Sequence, residues 1–126
     1  MTANVKDMLA AANAAVPRIT GAEAIEMAKR PDVIIVDVRD AAEVQASGKA
    51  KGAVAVSRGL VEFRADPEAP TYDPAFQRDK TVIIHCASGG RSALAGKTLK
   101  DMGYTKVLNL GRYQDWLDAG GETEPA

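Results

Sequence analysis

Two runs of β-branched residues constrain this chain most. Neither Val33-Ile34-Ile35-Val36-Asp37-Val38 nor Thr81-Val82-Ile83-Ile84-His85 alternates between apolar and polar positions. A strand with one wet face alternates, so a continuous apolar run predicts a strand covered on both faces. Helical periodicities separate these runs. Strands alternating with helices predict a parallel sheet with helices on both faces and right-handed crossovers. A chain of 126 residues has room for one such core. Ligands in such sheets collect beyond the carboxyl ends of the strands. That edge should gather Asp37–Asp40, Ser57–Arg58, Cys86–Arg91 and Gly111–Arg112.

The remaining segments fill in the alternation. Val5, Met8, Leu9, Ala12 and Val16 fall at helical spacing before Pro17 and predict an N-terminal helix. Thr20 with Glu23, and Asp40 with Glu43, have the spacing of capping boxes. They open helices that stop before Pro31 and at Gly48. Ala53–Val56 reads as a weaker strand and Leu60–Ala65 as a helix. Arg91–Met102 reads as an amphipathic helix closed by Gly103. Val107–Leu110 reads as a strand broken by Gly111, and Tyr113–Ala119 as the last helix. Pro67, Pro70 and Pro74 mark an excursion, either a mobile flap or a surface loop. The expected organisation is an N-terminal helical extension over 1–17, one α/β domain over 18–121, and a frayed tail over 122–126. The extension either covers a sheet edge or mediates self-association.

Composition narrows the function. Sixteen Lys+Arg against seventeen Asp+Glu give a net charge of −1, which argues against a nucleic-acid binder and a polybasic membrane binder. Aromatic residues make up 5%, too few for a base-stacking platform. Residues 1–16 are interrupted by Asn4, Asp7 and Asn13 and do not make a signal peptide. No apolar run is long enough to span a membrane. One cysteine and one histidine exclude an internal disulfide and a zinc site of ordinary ligand number. No metal or cofactor is expected, and a free thiol fits a reducing cytoplasm.

The lone Cys86 directly follows the lone His85. Cys86 ends a buried strand and enters Ala87-Ser88-Gly89-Gly90, a loop with little side-chain bulk, before the helix that starts with Arg91 and Ser92. Backbone N–H groups of such a loop turn inward as an anion nest. The helix adds its positive end. Arg91 adds a permanent charge and a bidentate fork, and the Ser92 hydroxyl is placed to donate toward the loop. These terms favour a thiolate and lower the Cys86 pKa, which makes it a nucleophile at neutral pH. The same nest would bind the anionic group of a substrate. His85 points to the opposite face of the strand and is read as a packed residue, not a general base.

With these residues on the page, the chain resembles the single-domain rhodanese-like sulfurtransferase family over roughly residues 18–121. Four motifs carry the resemblance: Val36-Asp37-Val38-Arg39 with Glu43, Gly48-Lys49-Ala50-Lys51-Gly52-Ala53, Cys86 to Arg91, and Gly111-Arg112-Tyr113-Gln114-Asp115-Trp116. The resemblance implies a three-layer α/β/α domain with a five-stranded, mostly parallel central sheet. It implies that Asp37, Arg39 and Glu43 form one structural ion-pair set bracing the strand end, and that Trp116 packs the last helix near the site. Many members have His-Ile-Pro where this chain has Lys49-Ala50-Lys51, and Gly-Gly where it has Gly111-Arg112. Arg112 either lines the pocket rim and selects anionic donors or is a surface charge. Arg58 carries the same two readings.

The implied activity is transfer of a sulfane sulfur, from a donor such as thiosulfate to cyanide or a thiol, through a persulfide on Cys86. No second cysteine is present, so the acceptor is another molecule. A protein acceptor and a homodimer both stay open. Four residues separate Cys86 from Arg91. The related phosphatases carry one more residue there, which makes phosphatase or arsenate chemistry the poorer reading. A non-enzymatic interaction module on the same fold is the other alternative.

Overall fold

The computed structural model describes residues 2–126. Residue 1 of the expected 1–17 extension lies outside them. Four parallel strands make the central sheet: β1 (Val33–Asp37), β3 (Val54–Ala55), β4 (Thr81–Cys86) and β5 (Val107–Arg112). Their order is β3-β1-β4-β5. Val33 pairs with Thr81 and Val82 with Val107, so β4 lies centrally and all six of its residues are buried.

Alternation along the strands divides the core in two. Val36, Val38, Val82, Ile84 and Cys86 face one layer, with Ala95, Leu99 and Val61. Those partners come from α5 (Gly90–Asp101) and α4 (Val61–Ala65). Ile35 and Ile83 face the other layer, with Ala24, Tyr113 and Trp116. These come from α2 (Gly21–Ala28) and α6 (Tyr113–Asp118). Both faces of β1 and β4 are therefore covered, which is why their sequences do not alternate.

The helix starts follow the sequence. Glu23 N–H donates to Thr20 Oγ1 at 3.1 Å and Thr20 N–H to Glu23 Oε1 at 2.9 Å, a complete capping box. In α3 (Ala41–Ser47), Asp40 N–H donates to Glu43 Oε1 at 3.0 Å, and Gly48 ends the helix at φ +75°. The N-terminal helix α1 (Val5–Ala15) packs on α5. A Cβ at Gly96 would lie 3.1 and 3.2 Å from the Val16 methyls, so the glycine lets α5 approach this segment closely.

Three expectations are corrected. The sheet has four strands, not five. The fifth position is taken by a single bridge, Arg18 to Asn109, because Pro17 lacks an N–H and only one residue pairs cleanly. Gly111 does not break β5. Leu110 is an extra residue between the pairs Ile84–Asn109 and His85–Gly111, and Gly111 takes φ +92° as the strand bulges and continues to Arg112. The tail over 122–126 is not frayed. β6 (Thr123–Glu124) pairs antiparallel with β2 (Lys49–Ala50). Lys49 Nζ lies 2.7 Å from Glu124 Oε1, Gly52 N–H donates to the same oxygen at 2.6 Å, and Trp116 Nε1 donates to Glu122 O at 2.8 Å.

The Pro67–Pro74 excursion is pinned at its end. Phe76 is fully buried and packs edge-on against Tyr104, with ring centroids 6.3 Å apart. Among the described residues no helix is long and apolar enough to cross a membrane.

Candidate active site

Cys86 is the last residue of β4, and α5 begins four residues later. Gly89 bridges them at φ +101°, a left-handed conformation open to glycine. This turn swings its N–H back onto the sulfur. Gly89 N–H donates to Cys86 Sγ at 3.0 Å and Ser92 N–H at 3.4 Å. The Cys86 thiol in turn donates to Ser92 Oγ at 3.4 Å. Burial pushes the thiol pKa up, but hydrogen bonding with the Ser92 side chain and with the Ser92, Gly89 and Ser88 amides outweighs it, and the net shift is downward. Ala87 and Ser88 are exposed and Gly90 is half-buried. Cys86 itself is wholly covered, at 0% exposed.

Arg91 is not a free fork. Its Nη1 lies 2.6 Å from Glu43 Oε1 and its Nη2 3.1 Å from Glu43 Oε2. This pair, with the Asp40 N–H, holds the Glu43 carboxyl down at about 2. It raises Arg91, and a Cys86 thiolate raises it further across space. Arg91 thus acts on the sulfur as a charge, with its hydrogen-bonding edge already committed to α3.

The expected set of Asp37, Arg39 and Glu43 therefore divides. Glu43 belongs to the loop mouth, because Arg91 reaches it first. Asp37 and Arg39 form a separate buried pair. Arg39 Nη2 lies 2.7 Å from Asp37 Oδ2, and Arg39 also donates to Ser47 Oγ at 2.7 Å and Gly48 O at 2.8 Å. Its guanidinium sits 4.1 Å from the Tyr113 ring centre.

His85 lies on this second face. It stacks on Tyr113 with centroids 5.7 Å apart, and its Nε2 is 3.7 Å from Asp37 Oδ2. Burial pushes its pKa down, against the raising effect of Asp37. It does not face the sulfur.

The two rim candidates are held elsewhere. Arg58 has its backbone at the strand edge, where its N–H donates to Val38 O at 3.2 Å. Its side chain turns to Glu62 at 3.0 Å and Thr98 at 3.1 Å. Arg112 pairs with Cys86 in the sheet, but its guanidinium is exposed and bonded to Asp115 at 2.6 Å. Trp116 is buried in the layer opposite Cys86 and anchors the tail. A cavity of about 200 Å³ lined by Arg39, Ala55 and Ser57 takes none of its walls from the Cys86 loop.

Two residues near the sulfur went unread in the sequence. Asn109 on β5 is 1% exposed and accepts from Ser92 Oγ at 2.8 Å. A polar residue inside Val107-Leu108-Asn109-Leu110 is the signal that marks it. Arg18 lies against Gly111 and Gly89. A Cβ on Gly111 would fall 2.4 Å from an Arg18 nitrogen. Nothing local in the sequence joins positions 93 residues apart.

Comparison with known proteins agrees with this geometry. The rhodanese-like domain family matches residues 20–119. A sulfurtransferase of Allochromatium vinosum is 37% identical over 84 residues, 67% of this chain and 70% of that protein. A thiosulfate:glutathione sulfurtransferase of Saccharomyces cerevisiae is 31% identical over 104 residues, 73% of this chain and 70% of that one. A solved structure from Rhodopseudomonas palustris, described as a protein of unknown function and possible tyrosine phosphatase, superposes with a TM-score of 0.88 at 42% identity. It covers 98% of this chain and 96% of its own. Four parallel strands, a cysteine closing the central one and a family match over most of the chain lead to one conclusion: this protein belongs to the rhodanese-like domain family.

Proposed function

We propose that this chain is a sulfurtransferase that carries sulfane sulfur on Cys86. The observation that carries the reading is the convergence of the Gly89 and Ser92 N–H groups on Sγ, at 3.0 and 3.4 Å. Donors so placed favour an anionic sulfur, whether thiolate or persulfide. The relatives that transfer sulfur support it.

The chemistry is a double displacement. The Cys86 thiolate attacks the outer sulfur of a donor such as thiosulfate. A new S–S bond forms, the donor S–S bond breaks, and sulfite leaves with its electron pair. The outer sulfur of the persulfide then sits where the loop amides of Ser88, Gly89 and Ser92 can hold it, beside the small Ala87 and Gly90. Arg91 offsets its charge. An external thiol or cyanide attacks that outer sulfur and releases the Cys86 thiolate. These 126 residues hold no second thiol to accept it. Cys86 is covered in this structure, so donor and acceptor reach the sulfur only when that cover shifts.

The test is intact mass after incubation with thiosulfate, and thiocyanate formation when cyanide follows. A gain of about 32 Da, one sulfur, is expected on the wild type. Cys86→Ser should show neither the gain nor turnover. No adduct with any of several sulfane donors would sink the reading. The description of the R. palustris structure motivates one control. Aryl phosphate hydrolysis, lost in Cys86→Ser, would favour phosphatase chemistry instead.

A further inference from the structure

Ser92 stands between two groups that compete for its single proton. Its Oγ receives the Cys86 thiol at 3.4 Å, and its own hydroxyl donates to Asn109 Oδ1 at 2.8 Å, with Gly89 O at 3.1 Å as a second acceptor. That arrangement suits a neutral thiol. It does not suit a thiolate, which accepts only. Once the thiol proton has passed to water, Ser92 has to turn its hydroxyl onto the sulfur and give up Asn109.

Asn109 is built to let it do so. Its Nδ2 is buried and has no partner among the described residues, although the residue is only 1% exposed. An orphaned buried donor is costly and rare. A half-turn about the Cβ–Cγ bond exchanges the two ends of the amide. Nδ2 then lies where Oδ1 lay, within hydrogen-bonding distance of Ser92 Oγ. It donates to that oxygen, and the hydroxyl is free to donate to the sulfur. The end left without a partner becomes a carbonyl oxygen, the less costly orphan.

We propose that Asn109 is a positioning residue for Cys86, its amide turning over so that Ser92 accepts from the thiol and donates to the thiolate. The inference rests on Cys86 working as an anion. The charged groups nearest the sulfur are Arg91 on α5, with Glu43 and Asp40 facing it from α3 and its cap, and Arg18 beside Gly89; the His85 ring faces the opposite layer and the Arg112 guanidinium is bonded to Asp115. No hydrogen bond joins any of their side chains to the side chains of Ser92 or Asn109 among the described residues.

The sign of one mutation separates this role from a passive one. Asn109→Leu keeps similar bulk and removes both amide ends. If Asn109 only held the Ser92 hydroxyl away from the sulfur, its loss would free that hydroxyl and lower the thiol pKa. If Asn109 also donates to Ser92 in the thiolate state, its loss raises the pKa, because Gly89 O at 3.1 Å still accepts the hydroxyl in the thiol state while, among the described residues, no other side chain replaces the donor in the thiolate state. The ultraviolet absorbance of the thiolate reads the titration, and Cys86 is the sole cysteine, so the signal is unambiguous. We expect the thiolate fraction below the midpoint to fall roughly three- to tenfold, the factor set by one hydrogen bond of ordinary net strength. The shift should vanish when Asn109→Leu is made on Ser92→Ala, since the effect passes through Ser92.

A second readout needs no variant. The Asn109 side-chain NH₂ resonances of the wild-type protein should move at the pH where the thiolate appears. Unmoved resonances, an unchanged or lowered pKa in Asn109→Leu, or a shift that persists without Ser92 would each overturn the proposal. Sulfur uptake is a separate measurement. A protein that forms the persulfide with Asn109 silent loses this inference alone. One that titrates as described but takes up no sulfur loses the sulfurtransferase reading alone.

Discussion

His85 and Cys86 are neighbours in sequence and both wholly buried, and both have their pKa pushed down, which favours the neutral form of the imidazole and the anionic form of the thiol. His85 lies between Tyr113 and the Asp37–Arg39 pair, where burial outweighs the nearby carboxylate and keeps the imidazole neutral. Cys86 meets the same kind of burial, but hydrogen bonds with the Ser92 side chain and with the Ser92, Gly89 and Ser88 amides outweigh it. Burial alone predicts neutrality for both. The difference is made by oriented donors, which a strand's alternation supplies to one face and withholds from the other.

The largest expected effect lies on the His85 face. Asp37→Ala leaves the Arg39 guanidinium buried without its carboxylate. Breaking such a pair costs about 3–5 kcal/mol, visible in denaturant unfolding. The thiol titration of the folded variant should change little. A large thiol shift in Asp37→Ala would show that the two faces are coupled.

Ser92→Ala comes next, on the other face. It removes the hydroxyl donor and keeps the amide. Thiolate reactivity at neutral pH should fall roughly three- to tenfold, read by alkylation rate against pH, with the backbone donors retaining the rest. Stability should change by about 1 kcal/mol.

Acid sharpens the contrast further. Glu43 is held at about 2 by Arg91 against an ordinary 4.5. A depressed carboxyl adds stability above its unfolded value and loses it as pH falls through the folded one. Stability should therefore decline as pH drops from about 4.5 toward about 2, and Glu43→Gln should flatten that limb. His85 acts earlier. Its folded pKa lies below the ordinary 6.5, so the unfolded chain binds the proton first and stability begins to fall as pH drops past 6.5.

The smallest effect is expected from His85→Phe. The ring still stacks on Tyr113, and the unpartnered Nε2 disappears. Unfolding free energy should stay within about 1 kcal/mol of wild type. Sulfur uptake should be unchanged. Loss of Cys86 reactivity in this variant would restore the histidine as a base and reverse the comparison.

What could be read from the sequence was local. The strand–loop–helix around Cys86, both capping boxes, and the glycine stops at Gly48 and Gly103 depend on residues a few positions apart. The opposite facing of His85 and Cys86 follows from strand period alone. What escaped reading was set by partners far along the chain. Lys49-Ala50-Lys51, seen only as a departure from the family's His-Ile-Pro, supplies two lysines that meet Glu124 and Glu122 and dock the tail. The sequence places Arg91 wholly in the loop because Glu43, 48 residues earlier, is brought beside it only by the fold. Asn109 did leave a trace, an amide in an apolar strand, but its partner Ser92 comes from another element.

The closed loop over Cys86 adds size to the properties that decide what this sulfur meets. Any reagent meets that cover before it meets the sulfur. Its observed rate is the intrinsic reactivity multiplied by the fraction of time the loop stands open wide enough to admit it. A compact donor samples many small openings and a bulky one only the rare large ones. A series of thiol reagents of increasing bulk would test whether the loop acts as a sieve as well as a nest.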